Sequence, residues 1–183
     1  MRLTIRSALP EDEAGIVALW RACDLVASYN DPAADFRFAR AGACSDVLVG
    51  VDDAGRIAGS VTVGHDGHRG WLYYVASAPE ARGSGVGRQM VQAAEAWLRA
   101  RGVVKAQLLV RETNTQVVSF YERLGFEVTP RVVMAKWLGE QQQAVAGETR
   151  QSGGILAALK RSPLDDADLD LTRPREAGRG VDL

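Results

Sequence analysis

Neither sign of charge dominates this chain of 183 residues: 22 Lys and Arg stand against 23 Asp and Glu, a formal net charge of -1. That balance gives no general electrostatic pull on nucleic acid or an anionic membrane surface, so any basic footprint must be local. Cysteine is scarce as well. Cys23 and Cys44 are too few for a disulfide framework or a thiolate zinc site, and both are expected as reduced, buried thiols. No apolar run approaches the roughly 18 residues of a membrane-spanning helix, and the opening Met-Arg-Leu-Thr-Ile-Arg has no apolar signal region. The expectation is a cytoplasmic protein, monomer or homodimer, with neither nucleic acid nor membrane as partner. From Leu138 to Leu183 there is no aromatic residue, no Met and no Cys. Residues 139–183 therefore cannot build a core of their own and read as a solvated polar extension with one short helix near Ile155 to Leu159.

What is present is a 46% hydrophobic content, enough for one domain with a real core over residues 1–138. Leu3 to Ser7 alternates like a strand. Pro10, three acidic residues, then Ile16, Val17, Leu19, Trp20 and Cys23 predict an amphipathic helix with a favourable start. Ser28 to Pro32 reads as a turn and Ala33 to Ala43 as a second helix. Asp46 to Val51 and Arg56 to Val63 read as strands joined by Asp53-Ala54-Gly55, and Trp71 to Ser77 as a further strand after a polar connector. Gly85 to Arg101 carries Val86, Met90, Ala94, Trp97 and Leu98 at helical spacing, with Gly102 as a stop. A strand over Ala106 to Val110, a helix over Thr115 to Leu124 and an extended stretch over Phe126 to Trp137, broken near Pro130, complete the pattern. The fold class is α+β: a mixed, mostly antiparallel sheet of about six or seven strands flanked by four helices.

Two stretches carry chemistry. Arg82-Gly83-Ser84-Gly85-Val86-Gly87 lies between a strand and a helix start. The first amides of a helix lack internal partners, glycine lets a ligand approach the backbone and the helix dipole favours an anion, so a pyrophosphate fits there. Taken alone, such a turn also serves purely backbone needs. Farther along come Asn114 and then Phe120-Tyr121-Glu122-Arg123-Leu124-Gly125-Phe126.

With both signatures in this order, residues 1 to 138 resemble the GNAT superfamily of acetyl-CoA-dependent N-acetyltransferases. Trp20 to Leu25, Asn30-Asp31-Pro32 and Asp66 to Gly70 are similar to a small group of bacterial members. The resemblance implies acetyl-CoA as co-substrate and no metal. It implies that the backbone of Arg82, Gly83, Ser84, Gly85, Val86 and Gly87 holds the pyrophosphate, and Arg88 adds a nearby cation. It also implies that the backbone near Ala76 and Ser77, on a strand splayed from its neighbour, pairs with the pantetheine arm and polarises the thioester carbonyl. Tyr121 is the implied acid for the leaving thiolate; a buried helix aromatic beside Phe120 is the plainer reading. Asn114 contacts the cofactor arm or caps the helix at Thr115.

The general base is less defined. The strand position that many peptide-acetylating members fill with Glu is Leu109 here, and the fourth strand offers Trp71, Tyr73 and Tyr74. A water relay, Tyr73 or Glu112 is conceivable, against packing or solvation for each. Asp24, Asp31 and Asp35 suit a cationic amine, or helix ends and turns. Tyr29 suits a pocket and Trp20 the core. His65, Asp66, His68 and Arg69 cluster in one connector, but two histidines fall short of the donors zinc needs, so a turn held by Asp66 is expected, with His68 as a conceivable proton carrier. The function expected is acetyl transfer from acetyl-CoA to a primary amine of a small molecule, peptide or protein. The alternative is a non-catalytic acyl-CoA-binding sensor, and a nucleotide-binding α/β protein is a distant third.

Overall fold

A computed structural model of the chain describes residues 2–111, 113–136 and 138. Two compact units are distinguished, Met1–Ala144 and Val145–Leu183. The polar extension from residue 139, with its expected short helix, lies outside the described residues, as does Glu112.

Strand β1 (Thr4–Ser7) leads through a short 3-10 turn, Pro10–Asp12, into helix α1 (Glu13–Ala22). Asp12 ties this entry together, accepting from the Leu9 amide at 2.7 Å and from both terminal nitrogens of Arg6 at 2.6 and 3.0 Å. The hydrogen bond from Arg6 is the main reason its carboxyl is held below the ordinary range. Helix α2 (Pro32–Ala41) starts one residue earlier than the pattern predicts, because proline suits a first helical position. The side chain of Asp31 accepts from the amides of Ala33 and Ala34, so Asp31 is a cap.

Strands β2 (Ser45–Val51), β3 (Ile57–His65), β4 (Gly70–Ser77) and β5 (Ala106–Leu108) complete one sheet in the order β1-β2-β3-β4-β5. The first three pairings are antiparallel and β4 with β5 is parallel. Helix α3 (Val86–Arg99) lies against this sheet through Val86, Met90, Val91, Ala94 and Leu98, all buried. Two glycines make room for it. A Cβ on Gly59 would fall 2.6 Å from Val86 Cγ1, and one on Gly70 would fall 2.5 Å from Leu98 Cδ1. Trp20 and Ile16 of α1 and Phe36 of α2 are fully buried, and Trp20 donates to Ser60 of β3 at 2.9 Å. Burial of each such large apolar side chain contributes about 1.5–3 kcal/mol. A 3-10 turn (Thr115–Val117) and the short helix α4 (Val118–Glu122) follow β5. Among the described residues no helix is long and apolar enough to cross a membrane.

Two expectations need correction. The described sheet has five strands, not six or seven. Phe126 to Lys136 has the β-prone residues that suggested more strands, but β5 is only three residues long and offers a short edge, and Val128, Val132 and Met134 are left exposed without a ladder. Cys44 is exposed rather than buried, because it sits in the connection out of α2, with Gly42 turned to an extended conformation before β2 begins. Cys23 is half-buried and its thiol donates to the Ser77 carbonyl at 3.2 Å.

Candidate active site

The site begins where the sheet comes apart. β4 and β5 pair only through Gly70 with Ala106, Trp71 with Gln107 and Leu72 with Leu108. Beyond these, β4 continues to Ser77 on the edge it shares with β3, through Tyr73 with Thr62, Ala76 with Ser60 and Ser77 with Gly59. The opposite backbone edge of Tyr73 to Ser77 is left without a strand partner. An unpaired strand edge is a ready template for an extended ligand, since its amides and carbonyls need partners.

The open edge leads directly to the glycine turn. After a 3-10 turn at Pro79–Ala81, Gly83 and Gly85 adopt left-handed conformations, φ 76° and 85°, which favour glycine. Gly85 is the residue on which α3 starts, so the turn presents backbone amides at a positive helix end. Arg82 and Arg88 are exposed, and neither enters an ion pair among the described residues.

Gly87 brings the later motif to this corner. A Cβ there would lie 3.2 Å from both Phe120 Cζ and Ser77 Oγ, so a glycine in the first turn of α3 lets α4 and the end of β4 close around it. Tyr121 follows Phe120, its ring edge-on to Phe120 at 5.0 Å and to Phe126 at 5.7 Å. Burial pushes its phenol up to about 12. The aromatic packing foreseen for Tyr121 is therefore present, beside the glycine turn. Asn114 directly precedes the 3-10 turn at Thr115, but its side chain makes no capping bond.

On the other side of β4 stands a network that motif reading missed. Tyr74 has φ 49°, a strained left-handed value for a side chain of this size, next to the register shift between Ser60 and Thr62. Its ring stacks on Trp20 at 4.1 Å, its hydroxyl donates to Asp35 Oδ2 at 2.7 Å, and Asn30 Nδ2 donates to it at 3.2 Å. Burial, and then the bond to Asp35, raise its phenol to about 12. The only sequence signal was the pair Tyr73-Tyr74, two consecutive large side chains where a regular strand alternates. Irregular backbone here lets both meet the side of the sheet where α1 and α2 lie. Asp24, named with Asp35 as an amine ligand, ends α1 in a left-handed conformation, φ 54°. Arg111 Nη2 donates to the Leu25 carbonyl at 3.2 Å, holding the connection between α1 and α2 to the segment after β5.

Next to this network is an apolar cavity of about 580 Å3, lined among others by Phe38, Ala41, Cys44, His65, Trp71 and Tyr73. The neighbouring connector is held as expected. Asp66 accepts from the amides of His68 and Arg69 at 2.8 and 2.6 Å and from Trp71 Nε1 at 3.1 Å, and these bonds, the Arg69 amide first, hold its carboxyl far below the usual range. Among the described residues no three His, Cys, Asp or Glu side chains converge as a metal site.

A strand pair that opens onto a glycine turn at a helix start, with a tyrosine helix closing the corner, is the architecture of an acyl-CoA-dependent transferase. The sequence pattern of the acetyltransferase (GNAT) family matches residues 15–126. An acetyltransferase of Pectobacterium atrosepticum is 35% identical over 141 residues, covering 77% of this chain and 99% of that protein. Two solved structures share the fold. AAC(6')-Iy, in complex with the bisubstrate analogue CoA-S-monomethyl-acetylneamine, has a TM-score of 0.64 at 20% identity, covering 75% of this chain and 99% of that one. Glucosamine-6-phosphate N-acetyltransferase from Arabidopsis thaliana has a TM-score of 0.59 at 21% identity, covering 76% and 100%. The chain belongs to the acetyltransferase (GNAT) family and is an acetyl-CoA-dependent N-acetyltransferase.

Proposed function

We propose that the protein transfers the acetyl group of acetyl-CoA to a primary amine of a small molecule, peptide or protein by direct attack within a ternary complex. The observation that carries this reading is the parting of β4 from β5 after Leu72 and Leu108, with the open edge running into the left-handed glycines before α3. Acetyl-CoA supplies an activated thioester. The amides of Arg82 to Gly87, with Arg88 beside them, hold its pyrophosphate. The free backbone edge at Ala76 and Ser77 pairs with the pantetheine arm and polarises the thioester carbonyl. The Ser77 carbonyl already accepts from Cys23, which favours the amides of this edge as the working donors. Asn114 reaches the same arm from beyond β5.

Tyr121 protonates the departing thiolate. A phenol pushed up to about 12 by burial stays protonated near neutral pH, which suits an acid and not a base. The test is thiol release from acetyl-CoA across a panel of amines, with calorimetric titration of acetyl-CoA alongside. Tyr121→Phe is expected to lower turnover by about 10²–10⁴-fold with acetyl-CoA affinity retained. An unchanged rate removes Tyr121 from the mechanism. Tight binding without turnover on any amine favours a CoA-sensing module, and no binding overturns the role of Arg82 to Gly87.

A further inference from the structure

We infer that the cavity beside α2 seats an apolar, ring-sized body of the acceptor, so that the amine presented to the acetyl donor belongs to an arylalkyl or similarly hydrophobic primary amine. This inference rests on the acetyl-transfer reading above and specifies its second substrate. The cavity, about 580 Å3, is within the range of small-molecule sites, roughly 300–1,000 Å3. Its chemistry is set by Phe38 and Ala41 on one side and by the stacked rings of Trp71 and Tyr73, 6.4 Å apart, on the other. Phe38 is 85% exposed and Tyr73 47%, an arrangement that leaves two aromatic faces for a ligand to cover.

Position along β4 makes this cavity an acceptor site. The strand runs from Trp71 and Tyr73 at the cavity to Tyr74, then to Ala76 and Ser77 on the open edge. A molecule whose ring lies against Trp71 and Tyr73 therefore has its polar end at Tyr74, one step nearer the wedge. A carboxylate is waiting there. Asp35 bonds Tyr74 through Oδ2 and lies one helical turn before Phe38 on α2, a spacing that places i and i+3 side chains on one face. One ammonium per ligand is what this geometry accommodates. The other acid at the cavity, Asp66, has its oxygens bonded to the Arg69 and His68 amides and to Trp71 Nε1. A polycationic acceptor, which needs several free carboxylates, finds Asp35 and little else.

The experiment compares 2-phenylethylamine with ethylamine on the full chain, by thiol release and by direct calorimetric titration, in wild type and in Phe38→Ala. Phe38 is exposed, so its truncation leaves the core untouched. The expected result is a preference for 2-phenylethylamine of about tenfold or more, from burial of the ring. Phe38→Ala should remove most of it through KM with kcat retained, and Asp35→Asn should erase the advantage of 2-phenylethylamine over 2-phenylethanol in binding. Thiol release with equal preference for both amines, or a preference indifferent to Phe38, overturns the inference and leaves acetyl transfer standing. Calorimetric binding of 2-phenylethylamine that depends on Phe38, without thiol release from any amine, supports the cavity as an amine site and counts against the transferase reading instead.

Discussion

Replacing Gly59 by alanine puts a methyl group where the first turn of α3 already lies. The new Cβ would stand 2.6 Å from Val86 Cγ1, 3.0 Å from Met90 Cγ and 3.2 Å from the Ala76 carbonyl oxygen. Carbon atoms rest at about 3.5–4.0 Å, so Val86 must retreat by roughly 1 Å. Val86 is 1% exposed and Met90 is fully buried, which leaves no adjacent space to retreat into. Overpacking of this kind costs about 1–3 kcal/mol. At about 2–4 °C per kcal/mol, that is a fall in Tm of roughly 2–12 °C by scanning calorimetry. Val86 is also the first residue of α3, so its displacement shifts the amides of the glycine turn and weakens acetyl-CoA binding in a calorimetric titration. Gly67→Ala is the control. Gly67 has φ 84° with nothing within 4 Å of a Cβ, so alanine there costs only the backbone strain, about 1–2 kcal/mol, and leaves acetyl-CoA affinity unchanged. Wild-type melting of Gly59→Ala refutes the packing argument. Destabilisation with unaltered acetyl-CoA affinity refutes the link between β3 and the turn.

Thr62 Oγ1 is buried with no hydrogen-bond partner among the described residues, so Thr62→Val keeps the shape, removes an unsatisfied hydroxyl and is expected to stabilise by about 1 kcal/mol in urea unfolding. Truncating the α2 cap by Asp31→Ala should cost about 1 kcal/mol in the same assay, and an unchanged midpoint would show that the Ala33 and Ala34 amides find other partners. On the alkaline side, Tyr74 and Tyr121 are both raised in the fold to about 12 from 10.0. The folded state then holds protons that the unfolded chain has released, so the stabilisation is complete below pH 10 and is lost as pH rises toward 12. Tm measured from pH 8 to 11 should fall, and should fall less steeply in Tyr74→Phe.

Much of the architecture was legible because glycine, proline and apolar spacing act locally. Pro32 and Asp31 mark the start of α2, Val86 to Leu98 show the buried stripe of α3, and the Arg82 to Gly87 turn lies where the pattern put it. The splayed β4 was implied by family resemblance, and the three-pair ladder with β5 has that form. What stayed hidden depends on contacts distant in sequence. Tyr74 bonds Asp35 across 39 positions, and Trp20 bonds Ser60 across 40, so no window of neighbouring residues contains either pair. The small residue at Gly87 reads as part of a phosphate turn, whereas its second role, admitting Phe120, is visible only once α4 is placed. Extended propensity over Phe126 to Lys136 misled because a strand requires an edge as well as suitable side chains.

Because β4 carries both halves of the proposed chemistry, it works as a ruler. Each residue advances about 3.3 Å, so the distance from the aromatic cavity at Trp71 to the open edge at Ser77 is set at roughly 20 Å by chain length alone. The irregularity at Tyr74 is the only point where that scale is interrupted. Deleting one residue there would not merely shorten the distance: it would exchange the faces of every side chain downstream. Substitutions on α2 carry no such penalty, so evolution can retune the amine while the measured span to the thioester stays fixed.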